Sequence, residues 1–184
     1  QGVLMAIAIE VGHYTLSQAI KAVLRANIDA ALAAIGVADY LPSDLQATGR
    51  NVYLSDDRIP PQSAQYLLVN VEHTSDDRVM SLGTQNSLYT IRIKAAVRGM
   101  TQARSGTDPA PTFEDAAWQT AGLLARAVDY VLERYLVKDA AAGCYNCRRV
   151  GVERQPPDPF RPNECAYVVR FEAYIRTRNP LAEA

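Results

Sequence analysis

Two long runs in which apolar and polar residues alternate constrain the fold of this chain more than any other feature. They occupy residues 87–99, "SLYTIRIKAAVRG", and residues 166–178, "AYVVRFEAYIRTR". Successive side chains of a β-strand point to opposite faces of the sheet, so each run predicts a strand with one apolar and one polar face. A shorter alternating run precedes each, at residues 66–72 and 148–154. The sequence therefore predicts two long antiparallel hairpins.

The first predicted helix covers residues 16–35, where apolar residues recur at steps of three and four. Thr15 followed by Gln18 fits a capping box, in which a hydroxyl and a side-chain amide satisfy backbone donors at the helix start. Gly36 supplies the left-handed residue that commonly ends a helix.

The second predicted helix begins after Thr112 as N-cap. Its core stripe consists of Trp118, Ala121, Ala125, Val128, Leu132 and Tyr135. Gly122 lies in the middle of this helix, where glycine costs about 1 kcal/mol relative to alanine. We expect a close helix-on-sheet contact at this position.

The N-terminal residues also alternate, with Val3, Met5, Ile7, Ile9 and Val11 on one side. This pattern predicts a strand or arm that adds to a sheet edge, in its own domain or in an adjacent subunit. The segment is short and contains a glutamate, so we expect neither a signal peptide nor a membrane span.

Together these elements predict one α+β domain, a mostly antiparallel sheet of two long hairpins with two amphipathic helices packed on one face. A chain of 184 residues suits a single core. We divide it into an N-terminal arm or strand at 1–13, a core at 14–178 and a C-terminal tail at 179–184.

The charge balance argues against a dedicated nucleic-acid-binding protein. Lys plus Arg number 19 against 20 for Asp plus Glu, a formal charge of −1. Phosphate binding usually requires a basic excess. The last hairpin is rich in arginine, but Glu153, Glu164 and Glu172 balance it, so we expect a polar sheet face or a subunit contact there.

The stretch "CYNC", Cys144 to Cys147, is the most motif-like feature of the sequence. Two cysteines at this spacing form half of a zinc site or a redox pair. Cys165 is the only other cysteine, so a second ligand pair is missing, and we interpret the three as reduced thiols near a strand start.

Other catalytic and metal-binding patterns are incomplete. His13 and His73 are the only histidines, and neither stands beside a recognisable nucleophile motif. Asp56 with Asp57, and Asp76 with Asp77, lack the further ligands of a calcium loop. We therefore expect no cofactor, no metal and no enzymatic activity, and a surface devoted to other proteins.

The order of these elements resembles the tail terminator family of long-tailed bacteriophages, also called tail completion or minor tail proteins. The shared pattern covers roughly residues 14–178. It runs from "LSQAIKAVLRANIDAAL" through "SDDRIPPQSAQYLLVNVEH", "NSLYTIRIKAAVRG" and "FEDAAWQTAGLLARAVDYVL" to "CAYVVRFEAYIR".

This resemblance implies a structural virion protein that forms a ring, typically of six subunits, at the head-proximal end of the tail tube. Its partners would be further copies of itself, the tube protein, a neck or connector protein and a sheath protein. Genome DNA would pass through the lumen without specific binding. The implied location is the virion, reached through the host cytoplasm during assembly. Three alternatives stay open: a neck or head-to-tail joining protein of related fold, a small thiol- or metal-dependent enzyme, and a standalone adaptor protein.

Three segments are the candidate subunit or ring contacts. They are the N-terminal arm, the loop at residues 73–86 and the proline-rich loop between the last two strands. Their candidate contact residues, together with one from the last strand, are Val3, Met5, Ile7, Ile9, Asp76, Asp77, Arg78, Phe160, Arg161 and Arg176.

Overall fold

Over the part of the chain that the structure describes, the protein forms two α-helices and a five-stranded sheet, as the α+β prediction requires. The structure, a computed structural model, describes residues 2–35, 51–59, 65–77, 84–98, 113–136, 144–156, 158–161 and 163–178. The helices are α1 (Gly2–Ala34) and α2 (Phe113–Val131), and the strands are β1 (Val52–Leu54), β2 (Gln65–Asp77), β3 (Thr84–Arg98), β4 (Cys144–Arg154) and β5 (Glu164–Arg178). Their order in the sheet is β1-β2-β3-β5-β4.

The two predicted hairpins are confirmed, as β2 with β3 and β4 with β5. They join at the centre of the sheet, where β3 and β5 pair from Thr84 opposite Arg178 to Arg98 opposite Glu164. The sheet is antiparallel except for β1, which pairs in parallel with the first half of β2. Because β1 has only three residues, its sequence carries no alternation, and we did not predict it.

The loop predicted at residues 73–86 is wrong in its extent, because β2 continues to Asp77 and β3 already begins at Thr84. A register shift between His73 and Ser75 interrupts the ladder, after which pairing resumes. Beyond it polar residues occupy both faces, so no apolar alternation marks this part of the strands.

One face of the sheet carries the main core, and both helices pack on it. In α1 the fully buried residues are Leu16, Ile20, Leu24 and Ile28. In α2 the predicted stripe is buried at Trp118, Ala121, Ala125, Val128 and Leu132, whereas the side chain of Tyr135 lies outside the described residues. The strands contribute every second residue, among them Val69, Ile91, Ile93, Val169 and Phe171. The alternation therefore predicted the buried face correctly.

The N-terminal strand predicted at residues 3–11 is wrong, because these residues belong to α1. Thr15 consequently lies inside the helix and does not cap it. A short apolar run is compatible with either period. Once a helix has formed, each further hydrogen bond requires only one more residue to be ordered, so α1 extends through Gly12 despite the roughly 1 kcal/mol penalty of that residue.

Gly122 faces Tyr167 of β5, as the expected helix-on-sheet contact would place it. A Cβ built on this glycine would lie 3.6 Å from Cε2 of Tyr167, an ordinary van der Waals distance. Proximity therefore does not require a glycine here. After α2 the chain continues into a π-helical segment, Leu132–Leu136. Over the described residues, neither helix combines the length and the apolarity needed to cross a membrane.

Candidate functional site

The cysteines do not converge on one site. Cys147 lies opposite Ala173 of β5, and Cys165 lies on the same strand eight residues before Ala173. At about 3.4 Å per residue the two thiols are roughly 27 Å apart, whereas zinc binds sulfur at about 2.3 Å. Among the described residues, no three His, Cys, Asp or Glu side chains lie close enough to hold a metal ion. Cys144 begins β4, as predicted, and its side chain is outside the described residues.

Two of the remaining candidate catalytic or metal-binding groups make structural contacts. Nε2 of His13 contacts the backbone carbonyl oxygen of Val71 in β2. Oδ2 of Asp57 accepts hydrogen bonds from Nζ of Lys21 at 2.6 Å and from the backbone N–H of Leu54 at 2.8 Å. The hydrogen bond from Lys21 is the main reason that the pKa of Asp57 is lowered. Both groups thus tie α1 to the β1–β2 edge of the sheet.

The most concentrated charge lies on the sheet face opposite the helices, around the buried carboxylate of Glu164. Its side chain is 3% exposed and accepts hydrogen bonds from the hydroxyl of Tyr66 and Nε of Arg98, both at 2.8 Å, and from Nζ of Lys94. Nη1 of Arg161 lies 3.8 Å from the same carboxylate. We call these five residues the Glu164 cluster. It joins β2, β3 and β5 at the end of the sheet where β5 begins.

Opposing effects set the protonation of this cluster. Burial acts to raise the pKa of Glu164, but the hydrogen bonds from Arg98, Lys94 and Tyr66 outweigh it and hold that pKa below its ordinary value. Burial and the adjacent carboxylate raise the pKa of Tyr66 to about 12. Glu164 is therefore ionised and Tyr66 protonated at neutral pH, and the cluster carries more positive than negative charge.

Cross-strand ion pairs occupy further positions on this face. Arg148 donates to Glu172 with Nε at 2.8 Å and with Nη2 at 2.6 Å. Arg170 pairs with Glu153 across β4 and β5, and Arg92 pairs with Glu72 at 3.4 Å across β2 and β3. The predicted balance of arginine by glutamate is confirmed. These pairs are exposed to solvent, so each contributes little to stability.

On the helix side, two arginines of β4 bind α2. The guanidinium of Arg154 lies 3.6 Å from the centroid of the Trp118 ring, which also meets Tyr167 edge-to-face at 5.7 Å. Nε of Arg149 lies 3.2 Å from Oδ2 of Asp129. Val150 and Val152, between these arginines, remain exposed. The outer strand of the sheet is therefore anchored to α2 by cations while it presents apolar side chains to solvent.

The proline-rich turn after β4 presents an aromatic side chain. Phe160 is 94% exposed. Its N–H donates to Oδ1 of Asp158 at 2.9 Å, and the N–H of Arg161 donates to the carbonyl oxygen of Asp158 at 2.9 Å. Arg161 also connects this turn to the Glu164 cluster. The turn thus holds an apolar side chain outward in one backbone conformation.

The structure distributes the candidate contact residues over opposite ends of the sheet. Asp77 and Arg176 both lie beside Asn86, at the end where β2 terminates, and Asp76 precedes them. Phe160 and Arg161 lie at the other end, before β5 begins. The described side chains do not include those of Asp76, Asp77 and Arg176, and Arg78 lies outside the described residues. Val3, Met5, Ile7 and Ile9 belong to the first turns of α1, with side chains that are likewise not described.

The Glu164 cluster was missed by sequence reasoning. Its members do carry a signal, since Tyr66, Lys94 and Arg98 all fall on the polar side of their alternating runs. The sequence does not fix the register between strands, and only the register shows that one buried glutamate serves all three.

No protein-family model and no curated protein sequence matches this chain. Among the solved structures that match is a chain of the virion of a native gene transfer agent particle, which is 15% identical. The match covers 84% of this chain and 95% of that chain, with a TM-score of 0.40.

Proposed function

We propose that this protein is a tail terminator of a long-tailed bacteriophage, a structural subunit of a six-membered ring at the head-proximal end of the tail tube. The observation that carries the proposal is the order and pairing of the elements. A leading helix, a long hairpin, a second helix and a second long hairpin form one sheet with both helices on one face. This is the order in which the sequence resembles the terminator family.

The two ends of the sheet support a capping role. A terminator must match the last ring of the tube on one face and present a different face to the neck. One end of this sheet carries Asp76, Asp77 and Arg176, and the other carries the turn with Phe160 and the Glu164 cluster. Fifteen residues of β5 separate these ends, about 50 Å of extended chain. Each end can therefore bind a different partner.

The charge of the chain supports passage of DNA through the ring. Tight binding of DNA phosphates would slow ejection of the genome, and it requires an excess of basic residues. This chain has none, since its formal charge is −1. The proposed partners are thus proteins: further copies of this chain, the tube protein, a neck or connector protein and, around a contractile tube, sheath protein.

Native mass spectrometry of the purified chain, together with imaging of virions that contain it, tests the proposal. We expect a closed ring in solution and density for that ring where tube meets neck. A protein that stays monomeric at micromolar concentration and is absent from virions would refute the proposal. A ring found only on the connector side, without tube contact, would identify a neck protein instead.

Contact by Phe160 is tested in the same assembly assay. Phe160→Ala removes an aromatic group that the turn already holds outward, so little conformational entropy is lost when it binds. We expect fewer capped tubes, and the control Phe160→Tyr should retain capping. Equal capping by both variants would show that this turn makes no contact in the assembly.

A variant with Cys144→Ser and Cys147→Ser separates the structural function from a thiol- or metal-dependent enzyme. Cys147 belongs to no metal-binding group among the described residues, so we expect the variant to fold and assemble normally. Loss of a bound metal ion or of a catalytic activity on this substitution would favour the enzyme.

A further inference from the structure

Among the described residues, three of the five exposed large apolar side chains lie towards the two opposite edges of the sheet. Val150 and Val152 belong to β4, the last strand at one edge. At the other edge Tyr14 of α1 is 63% exposed and follows His13, which contacts β2. An apolar group at each edge is what a repeated side-by-side contact between copies needs, because each copy then uses both edges.

Exposed side chains of opposite charge stand at the two edges, each already paired within its own copy, Arg148 with Glu172 and Glu72 with Arg92. The β4 edge presents Arg148 and Arg149, with side chains 67% and 46% exposed. The β2 edge presents Glu72, with a side chain 47% exposed. Asp76 and Asp77 follow in the same strand. Complementary charge at a rim directs partners to one orientation more than it adds affinity.

Strand direction and level also agree with a side-by-side contact. Pairing is antiparallel from β2 through β3 and β5 to β4, so β4 runs opposite to β2. A copy placed beside the sheet in the same orientation therefore brings its β2 antiparallel to β4. Glu72, Thr90, Glu172 and Arg148 form one row across the sheet. If the two copies are not shifted along the strand direction, Arg148 of one copy lies opposite Glu72 of the next.

We propose that the β4 edge of one copy binds the β2–α1 edge of the next, with Arg148 opposite Glu72 and with Val150 and Val152 near Tyr14. The two surfaces differ, so the contact is head-to-tail and closes into a ring when the rotation permits. This inference rests on the proposed ring and names the interface that builds it.

The contact uses side chains and does not add a strand at its centre. The carbonyl oxygen of Val69 accepts from the N–H of Ser55 at 3.0 Å, and that of Val71 is contacted by His13. These groups would otherwise offer the outer side of β2 to a new strand. Specificity between copies therefore depends on the charged and apolar side chains of the two edges.

Paired cysteines test this arrangement in the full chain. Arg148→Cys and Glu72→Cys are combined in a background of Cys144→Ser and Cys147→Ser, and the oxidised protein is separated on a denaturing, non-reducing gel. Within one copy the two positions are three strand spacings apart, roughly 14 Å, and a disulfide requires Cα atoms within about 7 Å. A disulfide between them must therefore join two copies.

We expect a ladder of covalent oligomers that ends at the ring size and collapses to monomer on reduction. Each single cysteine variant should stop at dimer, and so should the control that combines Arg148→Cys with Arg161→Cys. If native mass spectrometry shows a ring but the double variant gives no ladder, the proposed interface is wrong and the proposed function stands. Complete dimerisation of Arg148→Cys alone would show a two-fold β4 contact and overturn the inference. A wild-type chain that forms no ring overturns both.

Discussion

Replacing Glu164 with glutamine is expected to destabilise the domain by about 3 kcal/mol, because it leaves partly buried cations without their counter-charge. The side chains of Lys94 and Arg98 are 17% and 23% exposed, and Glu164 itself is 3% exposed. Breaking a fully buried pair typically costs about 3–5 kcal/mol, and the residual exposure of the two cations places this case at the lower end. Glutamine also replaces one carboxylate oxygen with an amide donor, for which neither Lys94 nor Arg98 offers an acceptor.

The same carboxylate makes stability depend on acidic pH. The pKa of Glu164 is lower in the folded protein than its ordinary value of 4.5, which we assign to the unfolded chain. The folded state therefore binds the proton less tightly. The stabilisation is complete above about pH 4.5 and is lost as the pH falls through the folded-state pKa. We expect the difference between wild type and Glu164→Gln to shrink over that range.

Urea unfolding followed by the fluorescence of Trp118, the single tryptophan, measures both effects. The matched control is Glu153→Gln, which removes the exposed partner of Arg170 and should leave stability nearly unchanged. A loss below 1 kcal/mol for Glu164→Gln at pH 7, or a difference that stays constant down to pH 3, would show that the cluster does not hold the strands together.

Two further substitutions test the packing of α2. Gly122→Ala should raise the free energy of unfolding by about 0.5–1 kcal/mol, because the helix gains a residue of higher propensity and the methyl group meets Tyr167 at an ordinary distance. A lower urea midpoint would show that the space is tighter than 3.6 Å implies. Arg154→Ala should cost about 0.5–1 kcal/mol and shift the emission of Trp118, because the cation over the indole ring is lost. Unchanged emission would contradict that stacking.

The alternating runs predicted the sheet because only one of its faces packs against helices. Where the pattern had a buried face to mark, at residues 87–99 and 166–178, strand and face were both predicted correctly. Elsewhere the alternation pattern failed in two ways: it missed part of a strand, and it predicted a strand where the chain is helical. The polar residues 73–77 extend β2 without any apolar alternation, and the apolar residues 3–11 alternate although they are helical.

The candidate site was predictable only in kind. Parity along each strand predicted that arginines and glutamates share a polar face, and the paired side chains confirm it. The alternation does not show which cation each carboxylate pairs with, because that depends on which residues of neighbouring strands lie opposite each other. The burial of Glu164 depends on which strands are neighbours, and the contact of His13 with the carbonyl oxygen of Val71 depends on where α1 packs. Only the tertiary fold contains this information.

The interior position of β5 delays folding until late in synthesis. This strand follows every other described element in the chain, yet it occupies an interior place between β3 and β4. Its pairing with β3 joins residues separated by 66 to 94 positions, from Arg98 with Glu164 to Thr84 with Arg178. Contacts so distant in sequence slow folding, because long loops must close before any of them forms. Until β5 emerges from the ribosome, the nascent chain exposes an unpaired edge of β3, which attracts other strands and invites aggregation. We therefore expect refolding to be slower than that of a helical domain of equal size, with yields that fall as concentration rises.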